Sequence, residues 1–330
     1  MKTQIHQLLP LFNEAPVAKD SGDLSPGVVA LANEARFSAA HYSEALTQFT
    51  VGYRDPENLL AAVDYIAPPI PVSRRFEWKK QENAEAFLSE TNDERAIGAG
   101  FKRVEYSGTT QLGKTSNRGL CFVMDTDEDG GATPEESIVA MLQQRIIRNK
   151  YRRAMTALAA IAAGNAAVFS AATQPDELIK AELAAAHLAG GVMPNRGLIG
   201  LAAWNLRSAG YAAQDKAGAF AGLAKNAAAV AGDLMLDDLR IDKALFQSTK
   251  TAKSRIVGSN FYGVVAYDGM MKDDPSHLKQ FYTPADGGRF RVYRKVTGPA
   301  DKFVEITVEH YETIIATSTV GLARLNITAS

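Results

Sequence analysis

TPEESIVAMLQQRIIRNKYRRAMTALAAIAAGN, residues 133–165, decides how the rest of the chain is read. Thr133 followed three places later by Glu136 forms a capping box, and Pro134 falls at the first helical position, where its missing N–H has no intrahelical partner to lose. Ile138, Leu142, Ile146, Tyr151, Met155, Leu158 and Ile161 recur at steps of three to five, which is one apolar stripe along a helix. The other face carries Gln143, Gln144, Arg148, Lys150, Arg152 and Arg153. Gly164-Asn165 supplies a stop signal. At 1.5 Å per residue the helix would be roughly 45 Å long, as long as a whole domain is wide.

Working outward towards the N-terminus, residues 72–125 read as polar strands: VSRRFEWKK, GFKRVEYSG and LCFVMD, with turn-rich text between them. A long hairpin of that composition needs a surface to lie against, and a partner chain is one. Ahead of it AVDYIAPPIPV carries Pro68, Pro69 and Pro71, which stiffen an extended connector. The first part of the chain, to about Asp55, mixes short amphipathic pieces such as FSAAHYSEALTQF with polar breaks and reads as an arm. Its start, MKTQIHQLLPLFNEAP, is interrupted by Pro10 and Asn13 and lacks the apolar core of a signal peptide.

Towards the C-terminus, Ala154–Pro175 contains no charged residue and is long enough to cross a bilayer. It is mostly alanine, however, with Thr156, Gly164, Asn165, Ser170 and Thr173 inside, so a helix packed through small side chains is expected. A helix DELIKAELAAAHLAGG, an apolar run LIGLAAW and an Ala-rich helix around Phe220 to Val230 follow. RIVGS and YGVVAYD read as strands, and RFRVYRKV and KFVEITVEHYETIIATS as a closing β pair joined by the turn TGPAD.

Composition removes several function classes. The chain has 330 residues, 36 Lys+Arg against 37 Asp+Glu, and a net charge of -1, so no global field gathers nucleic acid. A single cysteine, Cys121, rules out an internal disulfide and a cysteine-based zinc cluster. A soluble protein is expected.

Two motifs compete for attention. GTTQLGKT, residues 108–115, spells the phosphate-binding loop G-x-x-x-x-G-K-[ST]. That chemistry needs a buried strand before the loop and a helix starting at its Lys-Thr. Here FKRVEYS is too charged for a buried strand, and Ser116, Asn117, Arg118 and Gly119 form a turn before LCFVM. The stretch is expected to be a polar turn or edge strand, with Gly108, Gly113 and Gly119 letting the backbone bend. Asp125, Asp127, Asp129, Gly130 and Glu136 match a calcium loop, and a helix does leave it. An entering helix is missing, Pro134 lies within the loop and Ala132 replaces the usual large apolar residue. Acids gathering at the N-terminus of a long helix explain the pattern equally. The histidines His6, His41, His187, His277 and His310 are scattered and are expected at the surface or half-buried. No catalytic residue, cofactor-binding residue or metal ligand is assigned.

The order of parts resembles the major capsid proteins of tailed bacteriophages, the HK-ninety-seven fold. IAPPIPV with RRFEWKK is similar to the passage from the N-terminal arm into the extended loop, and NDERAIGAGFKRVEYSG to that loop's outer strand. LCFVMDTDEDGGATPEESI resembles the loop's return into the spine helix, and AGGVMPNRGLIGLAAWNLRSA the place where an Asn-Arg loop leads to a strand and a Trp-bearing helix. VVAYDGMMKDDPSHLKQFY and VEITVEHYETIIA add to the likeness. The resemblance implies an α+β chain: an N-terminal arm and connector at 1–71, the extended β-hairpin loop at 72–128, and a peripheral domain with the spine helix at 129–178. An α/β axial domain at 179–285 and peripheral return strands at 286–330 would complete it. It further implies a structural protein without enzymatic activity or cofactor. Pentamers and hexamers of it would close an icosahedral head around double-stranded DNA, assembled in the host cytoplasm and residing in the virion. Partners would be other copies of the chain, a separate scaffolding protein (no attached scaffolding segment is visible), a portal, a decoration protein and packaged DNA, but no membrane. Ion pairs between subunits from Arg95, Arg103, Glu105 and the Arg148–Arg153 face are one expectation, ordinary solvated charge the other. An encapsulin-like cargo shell and, in another class, a nucleotide hydrolase using GTTQLGKT are the rival readings.

Overall fold

The structure, a computed structural model, describes residues 41–82, 94, 95, 97, 100, 101, 109–127, 133–215, 217–269, 274–284, 288–298 and 301–329. The expected arm before residue 41 and most of the expected outer strand 92–108 lie outside the described residues. In chain order the elements begin with α1 (Glu44–Gly52), α2 (Leu59–Ile66), β1 (Pro69–Pro71), β2 (Arg75–Lys80), β3 (Thr109–Lys114) and β4 (Ser116–Asp125). Then come α3 (Pro134–Ala159), β5 (Asn165–Phe169), α4 (Pro175–Gly190), β6 (Arg196–Gly200), α5 (Leu201–Ala212), α6 (Ala217–Ala224) and α7 (Ala227–Asp233). The rest is strand: β7 (Asp238–Asp242), β8 (Leu245–Gln247), β9 (Lys253–Arg255), β10 (Asn260–Val264), β11 (Leu278–Thr283), β12 (Arg291–Thr297), β13 (Phe303–Ala316) and β14 (Ala323–Ala329). The class is α+β, with the connector, polar strands, long helix and mixed sheet in the order expected of the HK-ninety-seven type.

Contacts divide the chain into two units. Unit one comprises the described residues of 1–53, 118–143 and 285–310; unit two those of 54–117, 144–284 and 311–330. The helix α3 and the strand β13 run from one into the other along the chain.

Unit two holds the larger core. Its sheet runs β5-β14-β10-β6-β7, with β5 parallel to β14, β6 parallel to β7, and the two central pairings antiparallel. Strand β6 reads Gly-Leu-Ile-Gly after Arg196 and is buried on both faces, which explains an apolar run without alternation. Helices pack on this sheet: Ile179 and Leu183 of α4, Ala203 of α5 and Val230 of α7 meet Phe261, Leu325 and Ile327. Full burial of each large side chain stabilises by about 1.5–3 kcal/mol, so this cluster is the main source of cohesion in unit two. Helix α4 starts with Pro175 at its first turn, bears Asp176 and Glu177 where the macrodipole favours acids, and ends on Gly191 at φ 69°. A second sheet patch in this unit pairs β1 parallel to β11 and β11 antiparallel to residues 311–316 of β13.

In unit one β12 and residues 303–309 of β13 form an antiparallel ladder, and β4 adds to β13. Gly119 of β4 comes so close that a Cβ there would sit 2.7 Å from the Val308 carbonyl oxygen. Helix α1 is capped by Ser43, whose hydroxyl accepts from the Leu46 N–H at 3.4 Å. It is tied to β12 by the Val292 N–H, which donates to Thr47 Oγ1 at 3.1 Å.

Several expectations shift. Pro134 does open α3 and the stripe from Leu142 to Leu158 is buried, but the helix ends at Ala159, about 39 Å long, and Asn165 starts a strand instead of stopping a helix. Alanine-rich text has small side chains that suit a tightly packed strand as well as a helix, so Ala154–Pro175 is a helix end, a turn and β5. The connector's first half is helical, because α2 turns Leu59, Val63 and Ile66 inward before the prolines begin. The Ala-rich helix after Phe220 is two helices, split at Lys225-Asn226, where Asn226 Oδ1 caps α7 by accepting from the Ala229 N–H at 2.9 Å. Of RIVGS only Arg255 is in a strand. Lys150 and Gln143, placed on the polar face, are 1% and 2% exposed.

Candidate functional site

In GTTQLGKT, Gly108 lies outside the described residues and Thr109–Lys114 is β3, paired antiparallel with β2 so that Lys114 stands opposite Arg75. Thr115 is buried; its N–H donates to the Arg74 carbonyl at 3.0 Å and its Oγ1 lies 2.9 Å from Thr283 Oγ1. The chain passes directly into β4, so no helix N-terminus faces a phosphate at Lys114-Thr115. Gly113 has another use: a Cβ there would lie 2.4 Å from the Phe76 ring across the hairpin.

Of the acidic loop, Asp125 Oδ1 accepts from the Asp127 N–H at 3.0 Å and Asp127 pairs with Lys302 at 3.0 Å, while beside Glu136 both Glu135 oxygens accept from Arg294 Nε at 2.9 and 3.0 Å. Asp129, Gly130 and Ala132 lie outside the described residues. Among the described residues no group of three or more His, Cys, Asp and Glu side chains could hold a metal ion.

The cationic face of α3 is spent largely inside the chain. Lys150 pairs with Glu312 at 2.7 Å in a buried site, and Arg153 reaches the same carboxylate from a more exposed position. Arg148 pairs with Glu57 and donates to the Leu245 carbonyl at 3.0 Å. Arg152 stays exposed, its guanidinium 4.0 Å above the Phe246 ring. Arg95 stacks over Phe101 at 5.1 Å, whereas Arg103 and Glu105 lie outside the described residues.

Buried polar groups in unit two hold elements together. Arg207 is fully buried in α5; its Nε and Nη2 donate to the two Asp176 oxygens at 2.6 and 2.8 Å, and Nη2 also donates to the Gly222 carbonyl at 3.0 Å. One guanidinium thus binds α4, α5 and α6, and Trp204 and Tyr211 flank it at 4.9 and 5.0 Å. Tyr151 donates to Asp242 Oδ1 at 2.9 Å; burial pushes both the phenol and the carboxyl above their usual ranges. Burial likewise raises Tyr65, whose hydroxyl lies 2.9 Å from the carbonyls of Gly197 and Asp238. His277 and His310, expected at or near the surface, are both buried, and desolvation lowers His277 to about 4. Tyr151 thereby ties α3 to β7, and Tyr65 ties α2 to β6 and β7.

What remains is surface. The base of the hairpin packs within its own chain, with Phe76 stacked on Phe281 at 4.5 Å and Trp78 buried beside Ile70, so the loop's support is in part intramolecular. Beyond that base Leu112 of β3 is 82% exposed. In unit one, Phe122 and Val123 of β4 are 37% and 54% exposed. Helix α6, AGAFAGLA, exposes Phe220 at 72% and Leu223 at 39%. The sequence placed a helix here but not its exposed face; a lone Phe in an Ala/Gly run, with too few large neighbours to form a core, was the available signal.

The comparisons with known proteins follow this geometry. No known protein family matches the sequence, and no curated protein does. Among solved structures, a phage-related protein from Bordetella bronchiseptica RB50 matches with a TM-score of 0.62 at 13% identity, covering 86% of this chain and 96% of that one. The capsid of the cyanophage P-SCSP1u matches at 0.47 with 8% identity over 81% of this chain and 88% of that one. An encapsulin from Synechococcus elongatus PCC 7942 matches at 0.44 with 13% identity over 92% and 96%. The chain thus shares its fold with the Bordetella phage-related protein, and phage capsid proteins stand among its structural neighbours.

Proposed function

We propose that the chain is the major capsid subunit of a tailed phage or prophage, a structural protein that assembles as pentamers and hexamers into an icosahedral head around double-stranded DNA. The observation that carries this reading is the fold shared along nearly the whole length of a phage-related protein. Exposed apolar side chains on β3, β4 and α6 fit it, since isolated subunits rarely leave so many uncovered. In this reading 1–71 is arm and connector, 72–128 the extended loop, 129–178 the spine region, 179–285 the axial domain and 286–330 the return strands. Its residence is the virion after assembly in the host cytoplasm, and its partners are scaffold, portal and decoration proteins supplied separately. Many modest contacts repeated by symmetry would hold the shell. Electron microscopy of the purified protein tests this: rings, tubes or shells are expected. A homogeneous monomer or dimer under all conditions overturns it, and shells carrying a host enzyme would favour the encapsulin-like reading.

A further inference from the structure

From Arg240 to Arg255 the chain carries Arg240, Lys243, Lys250, Lys253 and Arg255 against Asp242, with Asp237 and Asp238 just before it, where β7 begins. In a protein of net charge -1 this is a local concentration of one sign. Within unit two the stretch folds as β7, the short β8–β9 hairpin and the links between them, beside the exposed side of α3. An open cleft of about 720 Å³ lies there, with Arg148, Arg240, Lys243 and Lys253 in its wall and Glu57 and Asp242 as its acids. Glu57 and Arg148 offset each other and Asp242 accepts from the Tyr151 hydroxyl, which leaves Arg240, Lys243 and Lys253 as the cleft's cations without an acid partner among the described residues. Arg240 donates to the Asn58 carbonyl, while Lys243 and Lys253 are exposed and make no ion pair among the described residues. Phe246 pins the hairpin under Arg152, and it also lines a second groove of about 350 Å³ whose wall includes Arg152 and Arg324.

We propose that this cleft and the β8–β9 hairpin form a phosphate-binding surface for a nucleic-acid duplex. Arg152 of α3, Arg240 of β7 and Lys253 of β9 stand on three separate elements, so the cations are spread over more length than one small anion occupies. Repeated phosphodiesters match such a row, and lysines on a short exposed hairpin can follow a backbone without reading bases. An acidic peptide is the less suited partner. Its docking calls for an apolar anchor pocket, and the large aromatic ring here, Phe246, is already covered by Arg152. The inference deepens the proposed shell reading by assigning the face turned towards packaged DNA, and it rests on that reading for this role alone.

The test is fluorescence anisotropy of a short labelled DNA duplex with the full-length protein. With about four phosphates neutralised, affinity is expected to fall by roughly a hundredfold between about 50 and 200 mM salt. The double variant Lys243→Glu, Lys253→Glu is expected to weaken binding at least about tenfold and to lower the salt slope by about two. The variant Lys180→Glu, Lys225→Glu carries the same net charge change on α4 and on the link between α6 and α7, and is expected to bind as the parent does. Absence of duplex binding at the lower salt, or equal loss in both variants, overturns the proposal. So does displacement of the duplex by millimolar inorganic phosphate, which would mark a small-anion site, or by poly-glutamate at lower charge equivalents than DNA. Shells that form without duplex binding refute this surface alone; duplex binding by a protein that never assembles refutes the shell reading.

Discussion

His277 has no freedom to accept a second proton. Its Nδ1 accepts from the Val265 N–H at 2.9 Å, and Nε2 lies 3.0 Å from the Val320 carbonyl, so the ring is neutral with the proton on Nε2. Protonating Nδ1 would set two donors against each other in a site without water access, and burial lowers the group from 6.5 to about 4. The unfolded chain therefore binds the extra proton first. Stability from this residue is complete above about pH 6.5 and is lost as pH falls towards 4, in total about 3 kcal/mol. Urea unfolding from pH 7 to pH 4.5 is expected to show that decline, and His277→Asn to flatten it, apart from any uniform loss of stability. An unchanged slope in the variant would show that other groups govern acid sensitivity. The burial of His277 was not legible in the sequence, because both of its partners are backbone groups and carry no residue signature. Lys150 was misplaced for a related reason: its counter-ion, Glu312, lies far along the chain in β13, and periodicity on one helix cannot reveal a partner on a strand.

Elements were legible where local pattern and tertiary need coincide. The stripe and Pro134 gave α3, and the Asn-Arg phrase before an apolar run gave β6 leading into the Trp-bearing α5. They were not legible where alanine removes the pattern, as in β5, or where a two-residue break splits a uniform run, as between α6 and α7. The β6–α5 junction shows what the letters hide. Gly200 ends β6 and precedes α5 with ordinary dihedrals, φ -71° and ψ 146°, yet a Cβ there would lie 2.0 Å from the Gly258 carbonyl oxygen. Gly258 itself needs φ +67°, so the turn that crowds Gly200 has little latitude to move. Gly200→Ala is expected to destabilise by about 1–3 kcal/mol through overpacking alone. Gly232, within α7 and with nothing within 4 Å of its would-be Cβ, is the contrast: Gly232→Ala should be neutral or stabilise by up to about 1 kcal/mol. Thermal or urea unfolding of the two variants decides, and equal effects would contradict this account of the junction.

At the scale of the molecule the candidate surface is a set of exposed apolar side chains on separate elements, which is why no motif announced it. Of the two motifs that did announce themselves, GTTQLGKT is a strand from Thr109 to Lys114, and in the acidic loop Asp127 is paired with Lys302. Helix α6 offers the sharpest case. Arg207 holds it from below through the Gly222 carbonyl, and Gly222 has no room for a Cβ against the Tyr211 ring at 2.7 Å. The helix is thereby fixed in place while Phe220 and Leu223 point away from the core. A phenylalanine covered by a neighbouring subunit removes on the order of 150–250 Å² from water, a few kcal/mol at about 25 cal/mol per Å², and symmetry repeats that gain at every subunit of a ring. Phe220→Asp is therefore expected to leave the isolated subunit's stability within about 0.5 kcal/mol, since the side chain is solvated there, while raising the concentration needed for assembly at least about tenfold. Urea unfolding at low concentration and light scattering at high concentration separate the two effects. Unimpaired assembly would remove α6 from the contact between copies. Loss of subunit stability would mean that Phe220 packs within its own chain.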